Sequence, residues 1–377
     1  MIAAGSRFYV TWTRRYDRNM PDQQLEPAVL ECAWIQWNGA SYSIYNNSLP
    51  IGRGVILDID YKVRECAGVP DAVLLDPGSA TTDPTVGVVY PHQTDIGDVD
   101  PVTFLPPGDN NRRCDLRLVV TSLNSANVIP PPAPPVALVT NIQFNGDSAP
   151  FGMESAGLIL PDCAPGQRDP VTLAYRFWLA YEEQFQVPGS AVPDGRIRLQ
   201  LWEQNSGNWG TLATHTFGQA SAQYVRRRAN VSSHPETAGG MDLVSIAFSK
   251  SNTPGNGEVV HEEWRYDPVQ GLYKVVWTPG TGFVNTLDDD IRPIPLHGRT
   301  TPLVRRVLVD RNESPCQILQ YDLDTNSTQV KRSSTNGLGR PAVGYRAGAG
   351  SVPDDVALTW EEKPAGLSYF RIFLRVD

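Results

Sequence analysis

Lysine is scarce in this chain. Of its 32 basic residues 27 are Arg and only five are Lys, and 41 acidic residues outnumber them. The net charge of −9 leaves no basic field for a phosphate backbone, so nucleic acid is not an expected partner. Long apolar runs are missing too. No stretch reaches the length of a membrane-spanning helix, so membrane insertion is not expected. No window shows a clear 3.6-residue period with caps, which argues against helical bundles. Fixed-period repeats are absent, which argues against propellers and solenoids.

The chemistry-bearing residues are thinly spread. The five cysteines, Cys32, Cys66, Cys114, Cys163 and Cys316, are far apart and contain no C-x-x-C pair. They read as free, buried thiols, with Cys32–Cys66 or Cys66–Cys114 as disulfides if the protein works outside a cell. The five histidines show no metal-ligand spacing, and neither a metal nor a cofactor is expected. His261-Glu262-Glu263-Trp264-Arg265 starts like a zinc-protease helix, but Arg265 stands where the second His belongs, and the stretch is strand-like. Nucleophile elbows, P-loops and dinucleotide fingerprints do not occur.

What is present is punctuation and alternation. Gly and Pro number 32 each, the mark of many short elements and turns. Arg196-Ile197-Arg198-Leu199-Gln200-Leu201 alternates with period two, so Ile197, Leu199 and Leu201 share one face of a strand. Further strands are expected near 6–13, 28–37, 53–63, 85–90, 114–121, 137–144, 171–181, 241–249, 303–309, 316–322 and 355–361, with an apolar one at 370–376. Asp267-Pro268-Val269-Gln270-Gly271 predicts a hairpin turn with Gly271 in the left-handed conformation. The stretch 64–113 reads as loop-rich. Five prolines between Pro130 and Pro135 predict a stiff spacer. The fold expected is all-β: two sandwich or jelly-roll-like domains of antiparallel sheets, residues 1–129 and 136–377, joined by linker 130–135.

Paired carboxylates could cleave glycans if two faced each other across a cleft. Glu182/Glu183, Glu262/Glu263 and Glu361/Glu362 are adjacent pairs, whose side chains point to opposite faces of a strand. An active pair must therefore combine two strands, for example Glu203 with Glu263. Asp322-Leu323-Asp324-Thr325-Asn326 spaces oxygen ligands as a calcium loop does, yet lacks the Gly and Glu of an EF-hand; a β-turn built on Asp and Asn explains it as well. Asp288-Asp289-Asp290 and Asp95, Asp98 and Asp100 are similar. Among the aromatics, Trp209 in a turn and Tyr42 suit a flat sugar-binding platform. Arg226, Arg227 and Arg228 suit an interface, and Phe370, Ile372 and Leu374 mark a terminal strand that must be paired.

These features lead to an expected function. The start Met1-Ile2-Ala3-Ala4-Gly5 has no basic segment followed by an apolar core, so synthesis in a cytoplasm is expected. With no catalytic motif, the expectation is a non-catalytic structural subunit of a large assembly. A virion protein is foremost (phage-like tail, baseplate, decoration or fibre attachment), associating with copies of itself and other subunits. Trp264-Arg265-Tyr266-Asp267-Pro268 and Thr301-Pro302-Leu303-Val304 loosely resemble the heads of minor pilins, which implies an extracellular filament or adhesin subunit as the alternative. A polysaccharide-binding or polysaccharide-cleaving β protein, with a surface glycan as partner, is the further alternative.

Overall fold

The computed structural model describes residues 2–4, 7–14, 29–37, 42–53, 56–57, 62–67, 70–78, 83–98, 112–122, 134–144, 161–185, 194–218, 225–233, 242–253, 256–275, 291–294, 306–311, 315–346, 355–363, 365–366 and 371–376. They form strands and turns and no helix. All strand pairings are antiparallel where a register is defined, as the all-β expectation requires.

The sheets follow chain order. The first contains β1 (Ile2–Ala4), β2 (Arg7–Arg14), β3 (Val29–Trp37) and β4 (Tyr42–Arg53). The second contains β5 (Ile56–Leu57), β6 (Lys62–Ala67), β7 (Asp71–Asp76), β8 (Thr85–Asp98), β9 (Arg112–Ser122) and β10 (Val136–Phe144), in the order β10-β9-β8-β6-β5 with β7 also on β8. The third is β11 (Asp162–Pro165), β12 (Arg176–Phe185), β13 (Asp194–Asn205) and β14 (Asn208–Phe217). The fourth is β15 (Val225–Ser233), β16 (Asp242–Thr253), β17 (Asn256–Asp267) and β18 (Gly271–Lys274). The fifth is β19 (Ile291–Ile294), β20 (Arg306–Arg311), β21 (Cys316–Asp322) and β22 (Ser327–Ser334). The sixth is β23 (Leu338–Arg346), β24 (Asp355–Glu362) and β25 (Arg371–Val376).

Two compact units divide the chain. The first holds Met1–Cys163, Tyr181–Gly195 and Asn205–Gly210; the second holds Ala164–Ala180, Arg196–Gln204 and Thr211–Asp377. The proline spacer lies between β9 and β10, which are neighbours in one sheet: Val136 faces Leu118 and Phe144 faces Arg112. The stretch 64–113 is not chiefly loop, because β7 and β8 run through it, and valines buried on both faces of β8 drive this. Val73, Val86, Val88 and Val89 are fully buried.

In the second unit the core is built between successive sheets. Ile197, Leu199 and Leu201 on β13 meet Val244, Ile246 and Phe248 on β16. The other face of the fourth sheet, through Ala247 and Val259, packs on Val307 and Val309 of β20. Leu308 and Ile318 then pack on Leu358 and Trp360 of β24. Each interface is a sandwich of antiparallel sheets, and the predicted period-two face of β13 is the one that packs. Burying each such side chain contributes about 2 kcal/mol.

Candidate functional site

The site grows from the connection between β11 and β12. Asp169-Pro170-Val171-Thr172 makes a tight turn because Pro170 presets its own φ and Asp169 caps the turn. Asp169 Oδ1 accepts hydrogen bonds from Val171 N at 2.9 Å and Thr172 N at 2.7 Å. Leu173 N donates to the Asp169 carbonyl at 2.9 Å, and Asp169 N donates to that of Ala174 at 3.2 Å. At the foot of the loop Gly166 N donates to Arg176 O at 3.0 Å. A Cβ on Gly166 would lie 2.8 Å from Arg176 Cβ and 2.9 Å from its carbonyl carbon. Gly166→Ala should therefore cost about 2 kcal/mol through forced backbone displacement, as measured by urea unfolding. A loss below about 0.5 kcal/mol would mean the two segments can separate freely.

Arg176 opens β12 and is buried. Its Nη2 lies 2.6 Å from Asp169 Oδ2, and its Nε donates to Glu203 Oε2 at 2.6 Å. Its guanidinium carbon stands 5.9 Å from the centre of the Tyr266 ring. Tyr266 on β17 faces Asp242, the first residue of β16, across the strand pair. Asp242 is only 1% exposed. Its Oδ1 accepts a short hydrogen bond from Gln167 N. Its Oδ2 has no hydrogen-bond partner among the described residues.

The carboxyl groups here differ in environment. Burial pushes Asp242 up to about 7, although the Gln167 N–H and the Arg176 charge oppose this. Asp169 is held below its ordinary value, chiefly by the Thr172 N–H, with Val171 N–H and Arg176 adding to it. Glu203 is ion-paired through Oε2 and keeps 15% of its side chain exposed. A buried carboxyl whose pKa is pushed up, with one oxygen unbonded among the described residues, thus lies within the field of an arginine that is ion-paired to Glu203. Together the two carboxyl groups can deliver a proton and accept one.

Of the carboxylates singled out from the sequence, Glu203 is in this cluster and Glu263 is not. Strand alternation puts Glu263 on the face opposite Trp264 and Tyr266, so the expected Glu203–Glu263 pair does not form. Asp242 precedes Val244, Ile246 and Phe248 by alternation on β16, which puts it on the side that packs against β13. Glu262 accepts the Trp264 indole N–H at 3.0 Å and pairs with Lys274 at 2.7 Å. Glu362 receives Arg332 at 2.9 and 2.6 Å and the Trp360 indole at 3.2 Å. Arg332 holds the Glu362 carboxyl below its ordinary value. His215 lies 3.9 Å from the Trp264 ring, where burial lowers its pKa and favours neutral imidazole. Glu182 is buried and Glu183 half-buried.

The remaining candidates scatter. Trp209 is half-buried on β14, and Tyr42 opens β4 opposite Trp37. Arg226 faces Lys250 and Arg227 faces Ser249 across β15 and β16, with Arg228 in the irregular step that follows. Ile372 and Leu374 lie on β25 opposite Glu361 and Thr359, so the terminal strand is paired within its own sheet. Phe370 lies outside the described residues, as do Asp288-Asp289-Asp290 and Asp100. Asp322 is the cap of a turn: its Oδ1 accepts Asp324 N at 3.2 Å and Thr325 N at 3.0 Å. Among the described residues no cluster of three or more His, Cys, Asp or Glu side chains could hold a metal ion. Cys163 and Cys316 are not in disulfides, and burial raises the pKa of Cys163.

No family model and no curated protein matches the chain. Solved structures that match along most of the chain include a Trypanosoma rangeli sialidase, at 12% identity and TM-score 0.46 over 99% of this chain. This chain spans 53% of that sialidase's length. A Penicillium chrysogenum α-L-arabinanase complexed with arabinobiose matches at 10% identity and TM-score 0.41 over 98% of both chains. The Bacillus licheniformis GH43 protein BlXynB matches at 10% identity and TM-score 0.19 over 98% of this chain and 87% of its own. These likenesses are too distant to assign this chain an activity. The expectation of a non-catalytic virion subunit is corrected to this extent: the matched structures are proteins named as sialidase, arabinanase and GH43 protein, and none is a virion protein. Missing motifs do not exclude catalysis, because carboxylates that act on a substrate need no local signature and can be assembled from distant strands.

Proposed function

We propose that this is a carbohydrate-active β protein that hydrolyses glycosidic bonds at the Arg176 cluster. The observation that carries the reading is the contrast between buried Asp242, with a carboxyl oxygen unbonded among the described residues, and ion-paired Glu203, both beside Arg176. Asp242 donates its proton to the glycosidic oxygen as the bond to the anomeric carbon breaks. Water adds to that carbon, and Glu203 takes the water proton. Proton exchange with solvent restores both groups. Arg176 fixes Glu203 and, through Asp169, the loop beside it.

The test is incubation of the purified protein with a panel of polysaccharides, scored for reducing ends and for binding. Asp242→Asn and Glu203→Gln should each lower release by about 10²-fold or more while circular dichroism stays unchanged. Release unaffected by either substitution would remove these residues from catalysis, and neither binding nor release from any glycan would remove the reading.

A further inference from the structure

The turn at Asp169 is built a second time. Asp267-Pro268-Val269-Gln270, between β17 and β18, repeats the Asp-Pro-Val sequence. Asp267 Oδ1 accepts Val269 N at 2.7 Å and Gln270 N at 2.9 Å, the same two bonds that Asp169 makes. In both turns the fifth residue has positive φ: Leu173 at 58° and Gly271 at 78°. The Asp322 turn repeats the pattern with Asn326 at 54°. Gly and Asn are the residues that adopt this conformation readily; a leucine does not. Leu173 therefore occupies a slot that local physics would give to glycine. It also projects outward, 64% exposed, with Val171 87% and Val269 94% exposed.

Neither tip is loosely held, and both rise from residues that meet Arg176. Asp169 is ion-paired to it at 2.6 Å, and Tyr266, which precedes Asp267, lies under its guanidinium. A strained conformation that displays an apolar side chain beside a site marks a binding role.

We propose that the two Asp-Pro-Val tips are apolar rims of the Arg176 site, and that its ligand is an extended polymeric glycan laid across both, its C–H faces on Val171 and Leu173 and on Val269. This rests on the reading of the site given above. A short glycoside would not span the rims.

Three variants test it: Leu173→Gly, Val171→Ser and Val269→Ser, assayed on a long polysaccharide that the wild type cleaves and on a short aryl glycoside of the same sugar. Each should raise KM on the polymer about tenfold, the scale of one apolar side chain left uncovered, with kcat and the short-substrate KM unchanged. Leu173→Gly should also raise Tm, because it relieves the backbone. An unchanged polymer KM in all three, with wild-type cleavage intact, would overturn the rims alone. A fall in Tm for Leu173→Gly would overturn the argument from strain and give Leu173 a packing role instead. Absence of cleavage and binding in the wild type would remove the site reading, and the rims with it.

Discussion

Arg176→Met should lower the unfolding free energy by about 3 kcal/mol, close to what is lost when one partner of a buried ion pair is removed. The methionine fills most of the volume, so the loss is electrostatic. Arg176 has 5% of its side chain exposed, Glu203 15% and Asp169 21%, and all three charges lie near one another. Without the guanidinium, Glu203 and Asp169 keep their negative charges with little water to replace it, and Asp242 sits in a still more negative field. Urea unfolding measures the effect, and a double-mutant cycle assigns it. Glu203→Gln should cost less in the Arg176→Met background than in the wild type, because its charge is then already a liability. A loss below about 1 kcal/mol, with an additive cycle, would show that the cluster exchanges its partners with water and holds nothing together.

Much of the strand inventory was legible, and the reasons are local. Period two on β13 specified the buried face of Ile197, Leu199 and Leu201, because alternation is how a strand covers one side of a core. The turn at 267–271 was legible from Pro268 and Gly271. The stretch 171–181 was read as one strand because Val171 and Thr172 are β-branched. The structure starts β12 at Arg176 instead, because the Asp169 cap and Pro170 close a turn that propensity cannot outweigh. Strands β15 and β23 were missed, as glycine, proline and arginine hide their alternation, and β7 because its six residues are a short apolar run between two aspartates without alternation.

The site was less legible, for a physical reason. Glu203 was a candidate, but Asp242 was not, since it comes within the field of Arg176 only when the third and fourth sheets pack face to face. One signal was available. Asp-Pro-Val occurs at 100–102, 169–171 and 267–269, at unequal spacing. A search for a fixed period passes over it, whereas a search for repeated turn chemistry finds it. The first copy lies outside the described residues.

Stability should fall as pH rises from about 4 to about 7, and Asp242 should be the cause. Its folded value of about 7 lies above the 3.8 of an ordinary aspartate. The folded state therefore binds a proton that the unfolded state has released, and stability declines with pH across that window. At about 1.36 kcal/mol per pH unit, the loss between pH 5 and pH 8 is about 3 kcal/mol. Asp169 does not confound this. Its value is lowered, so its contribution is complete above the unfolded value and is lost only as pH falls below it. Denaturant unfolding at several pH values tests the claim. Asp242→Asn keeps a carbonyl oxygen for Gln167 N but cannot titrate, so its stability should be flat over the same range. A wild-type slope that survives in Asp242→Asn would place the proton elsewhere. The same proton is the one proposed for the glycosidic oxygen, so kcat/KM should fall above about pH 7 as stability reaches its lower plateau. Glu203→Gln, which lacks the base but keeps the acid, should retain the stability slope while losing activity.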